Sequence, residues 1–179
     1  MRVAIYAPGA PLEGDVVVVP PRSGAPPEEG ALEPLRAFAR GGGRLLALGD
    51  GVALLCAAEL LPGAVTRVPA RAATHVRVEG RATAFTWAIP AGRILALAGL
   101  ALEHAYAAAD AEIAALASSG RVVLRYCDAA GGLDTSSGRT ASIAGLSDES
   151  GRIVGILGGV SQTLDCALGR QIEACLART

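Results

Sequence analysis

The sequence predicts an α/β domain of three layers built on a mostly parallel sheet. Two observations carry that expectation. Strand-like and helix-like segments alternate at both ends of the chain, as in βα units. Asp15–Val19 (DVVVV) is an unbroken β-branched run, the pattern of a strand buried on both faces. A chain of 179 residues that is 51% hydrophobic and 18% charged suits one domain, 1–179, and excludes a disordered tail or a charged linker array.

The elements follow in order. Arg2–Ala7 reads as a strand stopped by Pro8-Gly9, and Asp15–Val19 as a strand ended by Pro20-Pro21. A helix is expected from about Glu28 to Arg40, with Leu32, Leu35, Phe38 and Ala39 on one face and Gly41–Gly43 as its stop. Arg44–Leu48 is the next strand; Gly49-Asp50-Gly51 turns it into a helix, Val52–Leu61, closed by Pro62-Gly63. Val65–Val68, His75–Glu79 and Ala84–Ala88 are short segments suited to antiparallel or edge strands, and Arg93–Leu97 is a further strand. Asp110–Ser119 reads as a helix with Asp110 as N-cap and Gly120 as stop. Arg121–Cys127 and Thr140–Leu146 are strands around a flexible Ala129–Gly138, and Arg152–Leu157 is the last strand after a turn at Asp148–Gly151. A closing helix places Leu164, Leu168, Ile172 and Cys175 on one face.

Charge narrows the function classes. The net charge is −1, and all 16 basic residues are Arg, so there is no electrostatic footprint for nucleic acid or an anionic membrane. The longest uncharged apolar run, Ile94–Leu102, is too short to cross a bilayer, and Pro8 interrupts any signal peptide; a cytoplasmic protein is expected. Cys56, Cys127, Cys166 and Cys175 form no CxxC pair, and only His75 and His104 could join them, so buried structural thiols are expected, with no metal and no cofactor.

The most informative segment is RLLALGDGVALL, Arg44–Leu55. A buried strand, a glycine-flanked turn and a helix describe either an ordinary βα turn or a nucleophile elbow. In an elbow the middle residue carries the nucleophile, and here that residue is Gly49.

Gly43–Gly63 (GRLLALGDGVALLCAAELLPG) resembles the elbow region of the glutaminase subunit of phosphoribosylformylglycinamidine synthase, a class I glutamine amidotransferase. Thr74–Phe85 (THVRVEGRATAF), Arg121–Asp128 (RVVLRYCD), Ile143-Ala144-Gly145 and Asp148–Leu157 (DESGRIVGIL) resemble later segments of that family in the same order. The resemblance spans nearly the whole chain. It implies a flavodoxin-like sheet, shortened at the N-terminus, where only Pro8–Gly14 joins two segments that the family separates by a helix and a strand. That leaves one sheet face thinly covered, the kind of apolar patch a partner occupies.

The resemblance also implies a chemistry: a Cys attacks the glutamine amide, a His activates it, a Glu orients the His, and ammonia passes to a synthetase. Carried over by position, the nucleophile falls on Gly49. The closing Pro-His-Pro-Glu motif falls on Gly158, Gly159, Val160 and Ser161, so base and orienter become Gly159 and Ser161. The family's further His falls on Ala101, while Glu103 remains. Its Pro-Gly-Gly oxyanion loop is here Pro20-Pro21-Arg22, and Pro21 has no N–H to donate.

Replacements are weak. Cys56 lies two helical turns past the elbow, about 10 Å away. Asp50 suits a cap for the following helix better than a carboxylate nucleophile, Ser161-Gln162 suits an N-cap region, and His75 sits in a strand. Glu103 and His104 are adjacent, so a shared site there requires a loop. The expectation is therefore a catalytically inactive glutaminase-like subunit that assembles with or regulates a purine-pathway synthetase. The alternative is a metabolite-binding module, its anion pocket formed by Pro21, Arg22, Gly49, Asp50, Gly51, Gly159 and Ser161.

Overall fold

The computed structural model describes residues 2–21, 29–72, 75–80, 83–87, 89–96, 101–134 and 140–157. Ten strands and three helices occupy them, and the predicted closing helix with Leu164, Leu168, Ile172 and Cys175 lies outside the described residues. Eight strands form one sheet in the order β1-β2-β3-β10-β9-β8-β5-β6. The first four, β1 (Val3–Ile5), β2 (Val16–Val19), β3 (Arg44–Leu48) and β10 (Ile153–Ile156), run parallel. The others, β9 (Ile143–Ser147), β8 (Val122–Cys127), β5 (His75–Val78) and β6 (Ile94–Ala96), continue antiparallel. The sheet is mixed, and its parallel half carries the elbow.

Alternation along β2 shows why these strands sit at the centre. Val17 and Val19 enter one core with Leu45 and Ala47, packed under Leu32 and Leu35 of α1 (Glu29–Arg40), Leu54 and Leu55 of α2 (Val52–Ala57) and Leu116 of α3 (Asp110–Ser118). Val16 and Val18 enter a second core with Leu46, Leu48, Val76, Tyr126, Val154 and Ile156. Every residue of β2 is buried, and each fully buried valine contributes about 1.5–3 kcal/mol. Between β1 and β2 the chain crosses without a helix. Tyr6 is nevertheless buried, its hydroxyl donating to the Ala31 carbonyl at 2.9 Å, and Ile5 is the exposed large apolar residue on β1.

Several expectations are corrected. Val65–Val68 belongs to a longer strand, β4 (Ala64–Ala72), which pairs with β7 (Ala101–Ala107) in a separate two-stranded sheet. β7 was not expected as a strand: three of the seven residues in ALEHAYA are alanine. Ala84–Trp87 is a turn, not a strand, because the Thr83 hydroxyl accepts the Phe85 and Thr86 amides at 3.2 and 3.1 Å and meets the Thr86 hydroxyl at 2.9 Å. That turn holds Trp87, the only tryptophan, 68% exposed. Helix α2 ends at Ala57 rather than Leu61; the carbonyls of Ala57 and of the C-cap residue Ala58 accept from the Arg36 guanidinium. Asp110 is the first residue of α3, while Ala109 holds the N-cap position without a side-chain bond. Thr140–Ser142 forms a short 3-10 turn ahead of β9. In the segment expected to be flexible, Asp128 Oδ1 accepts the Ala130 and Gly132 amides, both at 2.8 Å, and so closes a tight turn; 135–139 lie outside the described residues.

Gly155 of β10 packs closely under α2, where an added β-carbon would meet Val52 Cγ1 at 2.8 Å and, beyond the helix, Leu61 Cδ1 at 3.0 Å. Gly155→Ala is expected to cost about 1–3 kcal/mol by overpacking. Urea denaturation checks it: the midpoint should fall with an unchanged slope.

Candidate functional site

The carboxyl ends of β2, β3 and β10 meet at one edge, since Val19 pairs with Ala47 and Leu48 with Ile156. In open α/β sheets this edge is where ligands and catalytic groups gather. Leu48 keeps extended geometry at φ −123°, and Gly49 then turns to φ +56°, opening a 3-10 turn, Gly49–Gly51, that leads into α2. This is the left-handed backbone in which a side chain is strained.

Gly51 is required by close approach. A β-carbon there would lie 2.6 Å from the Pro20 carbonyl oxygen and 2.9 Å from that of Val19. The end of β2 is thus pressed against the turn, and this carries Pro21 over Gly49. A β-carbon on Gly49 would sit 3.3 Å from Pro21 Cβ and 3.4 Å from Pro21 Cγ. The pyrrolidine ring occupies the ground beside the position where a side chain at 49 would begin.

The other predicted site residues separate. Asp50 lies inside the 3-10 turn, one residue ahead of Gly51, which holds the N-cap position of α2. Glu103 and His104 are successive residues of β7, and Ala101 begins the same strand. His75 lies on β5 opposite Cys127 of β8, and its Nδ1 is buried without a partner among the described residues. Arg22, Gly158, Gly159, Val160, Ser161 and Gln162 lie outside the described residues, as do Cys166 and Cys175; β10, from which 158–161 continue, ends beside Leu48.

Cys56 is not poised as a nucleophile. Its thiol lies near the Pro62 carbonyl, 3.6 Å away, and burial, assisted by Glu112, pushes its pKa up to about 12. Cys127 is also buried, and desolvation raises its pKa. Tyr106, packed in the same core as α2, has a buried hydroxyl without a partner among the described residues; desolvation and then Glu112 raise its pKa. Among the described residues no group of three or more His, Cys, Asp or Glu could hold a metal ion, and no helix is long and apolar enough to cross a membrane.

A parallel trio ending in an elbow turn, flanked by the loop after β2 and continued by the segment after β10, is the framework of the class I glutamine amidotransferase fold. The solved structure of PurLQS from Thermotoga maritima matches it with a TM-score of 0.66 over 92% of this chain and 79% of that one, at 20% identity. No family model matches the chain. The phosphoribosylformylglycinamidine synthase subunit PurQ of Nitrobacter winogradskyi is 35% identical over 96% of this chain and 77% of its own length. That of Rubrobacter xylanophilus is 38% identical over 76% of this chain and 61% of its own. The chain belongs to the PurQ family, the glutaminase subunits of phosphoribosylformylglycinamidine synthase.

The loop–elbow contact was missed in the sequence, where Pro21 signalled only a lost donor. Also missed was a cleft at Glu79 and Arg125; the alternation in HVRVE, which puts Arg77 and Glu79 on one face of a strand, was its available signal.

The raised thiol and phenol give a pH dependence. Both groups keep protons in the fold that the unfolded chain releases at its ordinary values, 9.0 for Cys and 10.0 for Tyr. The Cys56 contribution is complete below pH 9.0 and is lost as pH rises toward about 12, and that of Tyr106 begins to be lost only above pH 10.0. Thermal midpoints should therefore decline through that alkaline window, and Cys56→Ala should make the decline shallower. An unchanged slope in that variant would refute the assignment to Cys56.

Proposed function

We propose that this chain is a catalytically inactive glutaminase-like subunit that acts as an assembly or regulatory partner of a purine-pathway synthetase in the cytoplasm. One observation carries the reading. The family's nucleophile position is Gly49, in the left-handed region, with the Pro21 ring packed beside the place where a side chain would begin. Sequence position adds Gly159 and Ser161 in place of base and orienter, and Pro21 in place of an amide donor. A glycine at the elbow relieves strain that an attacking residue would have to bear. The framework of strands around the turn is kept, and PurQ relatives supply the class of partner through the solved PurLQS assembly. Glutamine hydrolysis, measured on the protein alone and with the synthetase, tests the reading directly; turnover in the complex would overturn it.

Restoring the side chains alone should not restore the activity. The triple variant Gly49→Cys, Gly159→His, Ser161→Glu is expected to fold less stably, because a side chain at 49 takes on about 1–3 kcal/mol of backbone strain. It should also turn over glutamine far below an ordinary family member, since one missing oxyanion donor typically costs about 10²–10³ in rate. Adding Pro21→Gly and Arg22→Gly removes the ring and restores amides, and should raise the rate above the triple and above the loop pair alone. Steady-state hydrolysis by the triple and quintuple variants decides the matter; near-normal activity in the triple would show that Pro21 does not stand in the oxyanion loop.

A further inference from the structure

A second polar centre lies on β8, three strand spacings from β3 and so about 14 Å across the sheet from the elbow. There Arg77 and Arg125 pair across β5 and β8, and both reach Glu79. Arg77 binds Glu79 Oε1 through Nε and Nη2, at 3.1 and 3.0 Å, and donates through Nη1 to the Gly131 carbonyl at 3.0 Å. Its guanidinium is thereby consumed. Arg125 differs. Its Nη1 donates to the Ala141 carbonyl, its Nε stands 3.9 Å from the same Glu79 oxygen, and its Nη2 makes no hydrogen bond among the described residues. Glu79 Oε2 likewise has none.

These two heads line a cleft of about 340 Å³, whose other walls are Gly80, Ala117, Ser119, Gly120 and Val122. The size falls at the lower end of small-molecule sites. The Arg125 side chain is 14% exposed and that of Glu79 26%, and each keeps one polar atom that makes no hydrogen bond to the described residues. A charged group in such a place can exchange its water for a charge-assisted partner. A purely anionic ligand would leave Glu79 Oε2 facing like charge, and a purely cationic one would leave Arg125 Nη2 unpaired. A molecule with an ammonium and a carboxylate on one carbon answers both.

We propose that this cleft is a second small-molecule site, separate from the elbow, and that it takes a small zwitterionic α-amino acid. Its ammonium donates to Glu79 Oε2 and its carboxylate accepts from Arg125 Nη2, while the alanine and glycine walls admit a short side chain. The inference does not depend on whether the elbow is inactive.

Calorimetric titration of the full chain with L-alanine, propionate and ethylamine tests it, because the last two each keep one charged end. L-Alanine is expected to bind with a dissociation constant on the order of 1 mM, and each fragment at least about tenfold more weakly. Glu79→Gln should weaken L-alanine about tenfold. Because that change also disturbs Arg77, Ala117→Leu serves as the second variant; it fills the cleft from the exposed face of α3 and leaves every charge in place. It should abolish binding without lowering the thermal midpoint. No heat with L-alanine at tens of millimolar, equal binding of propionate, or binding that survives Ala117→Leu would each overturn the proposal.

Discussion

The burial of β2, β3 and β10 on both faces is the constraint on which the rest of the structure depends. Strands sealed from water above and below must satisfy every backbone group in the ladder and present apolar side chains in both directions. Past Arg44, exposed at the start of β3, no charge lies along them. Chemistry is confined to the ends, where the chain leaves the ladder, and these ends are where Pro20-Pro21 and Gly49-Asp50-Gly51 lie. The same constraint explains how a framework can persist while the groups at its rim change. Loop residues at the edge of such a sheet contribute little to its cores, so their replacement leaves the packing of Val17, Leu45 and Ile153 untouched.

The antiparallel half obeys a looser rule. On β5 and β8 one face sends Val76, Val78, Leu124 and Tyr126 into the second core, and the other face carries His75, Arg77, Arg125 and Cys127. A register shift on either side of Leu124 re-aims β8 at this point. Half of this region is therefore free to hold charge. The polar centre with Glu79 stands there, and the parallel half has no counterpart among the described residues.

Legibility in the sequence followed these two regimes. DVVVV and RLLAL were readable because two-sided burial demands continuous apolar runs bounded by clear turn residues. β7 was not, since in ALEHAYA alanine serves equally in helix, strand and loop, and its strand identity comes from pairing with β4. Ala84–Ala88 looked extended until the hydroxyls of Thr83 and Thr86 closed a turn, a local competition that periodicity does not register. At the site, the glycine at 49 was visible in one dimension. The ring above it was not: that contact follows from how far β2 runs before Pro20, which brings the Val19 and Pro20 carbonyls within 3 Å of a β-carbon at 51. The ion centre at Glu79 likewise needed the pairing of Arg77 with Arg125, residues far apart in the chain.

Trp87 gives the fold an unusual optical character. It is the chain's one tryptophan, and it stands in water on a turn pinned by two threonines, with its amide bonded to the Thr83 carbonyl at 3.1 Å. Its emission in the native protein is already that of a hydrated indole, so unfolding of the two cores moves its wavelength little. The same fluorophore is a sensitive reporter of anything that dries its own surface. Intrinsic fluorescence from this protein therefore speaks of approach to one turn, while the cores must be followed through backbone and tyrosine signals.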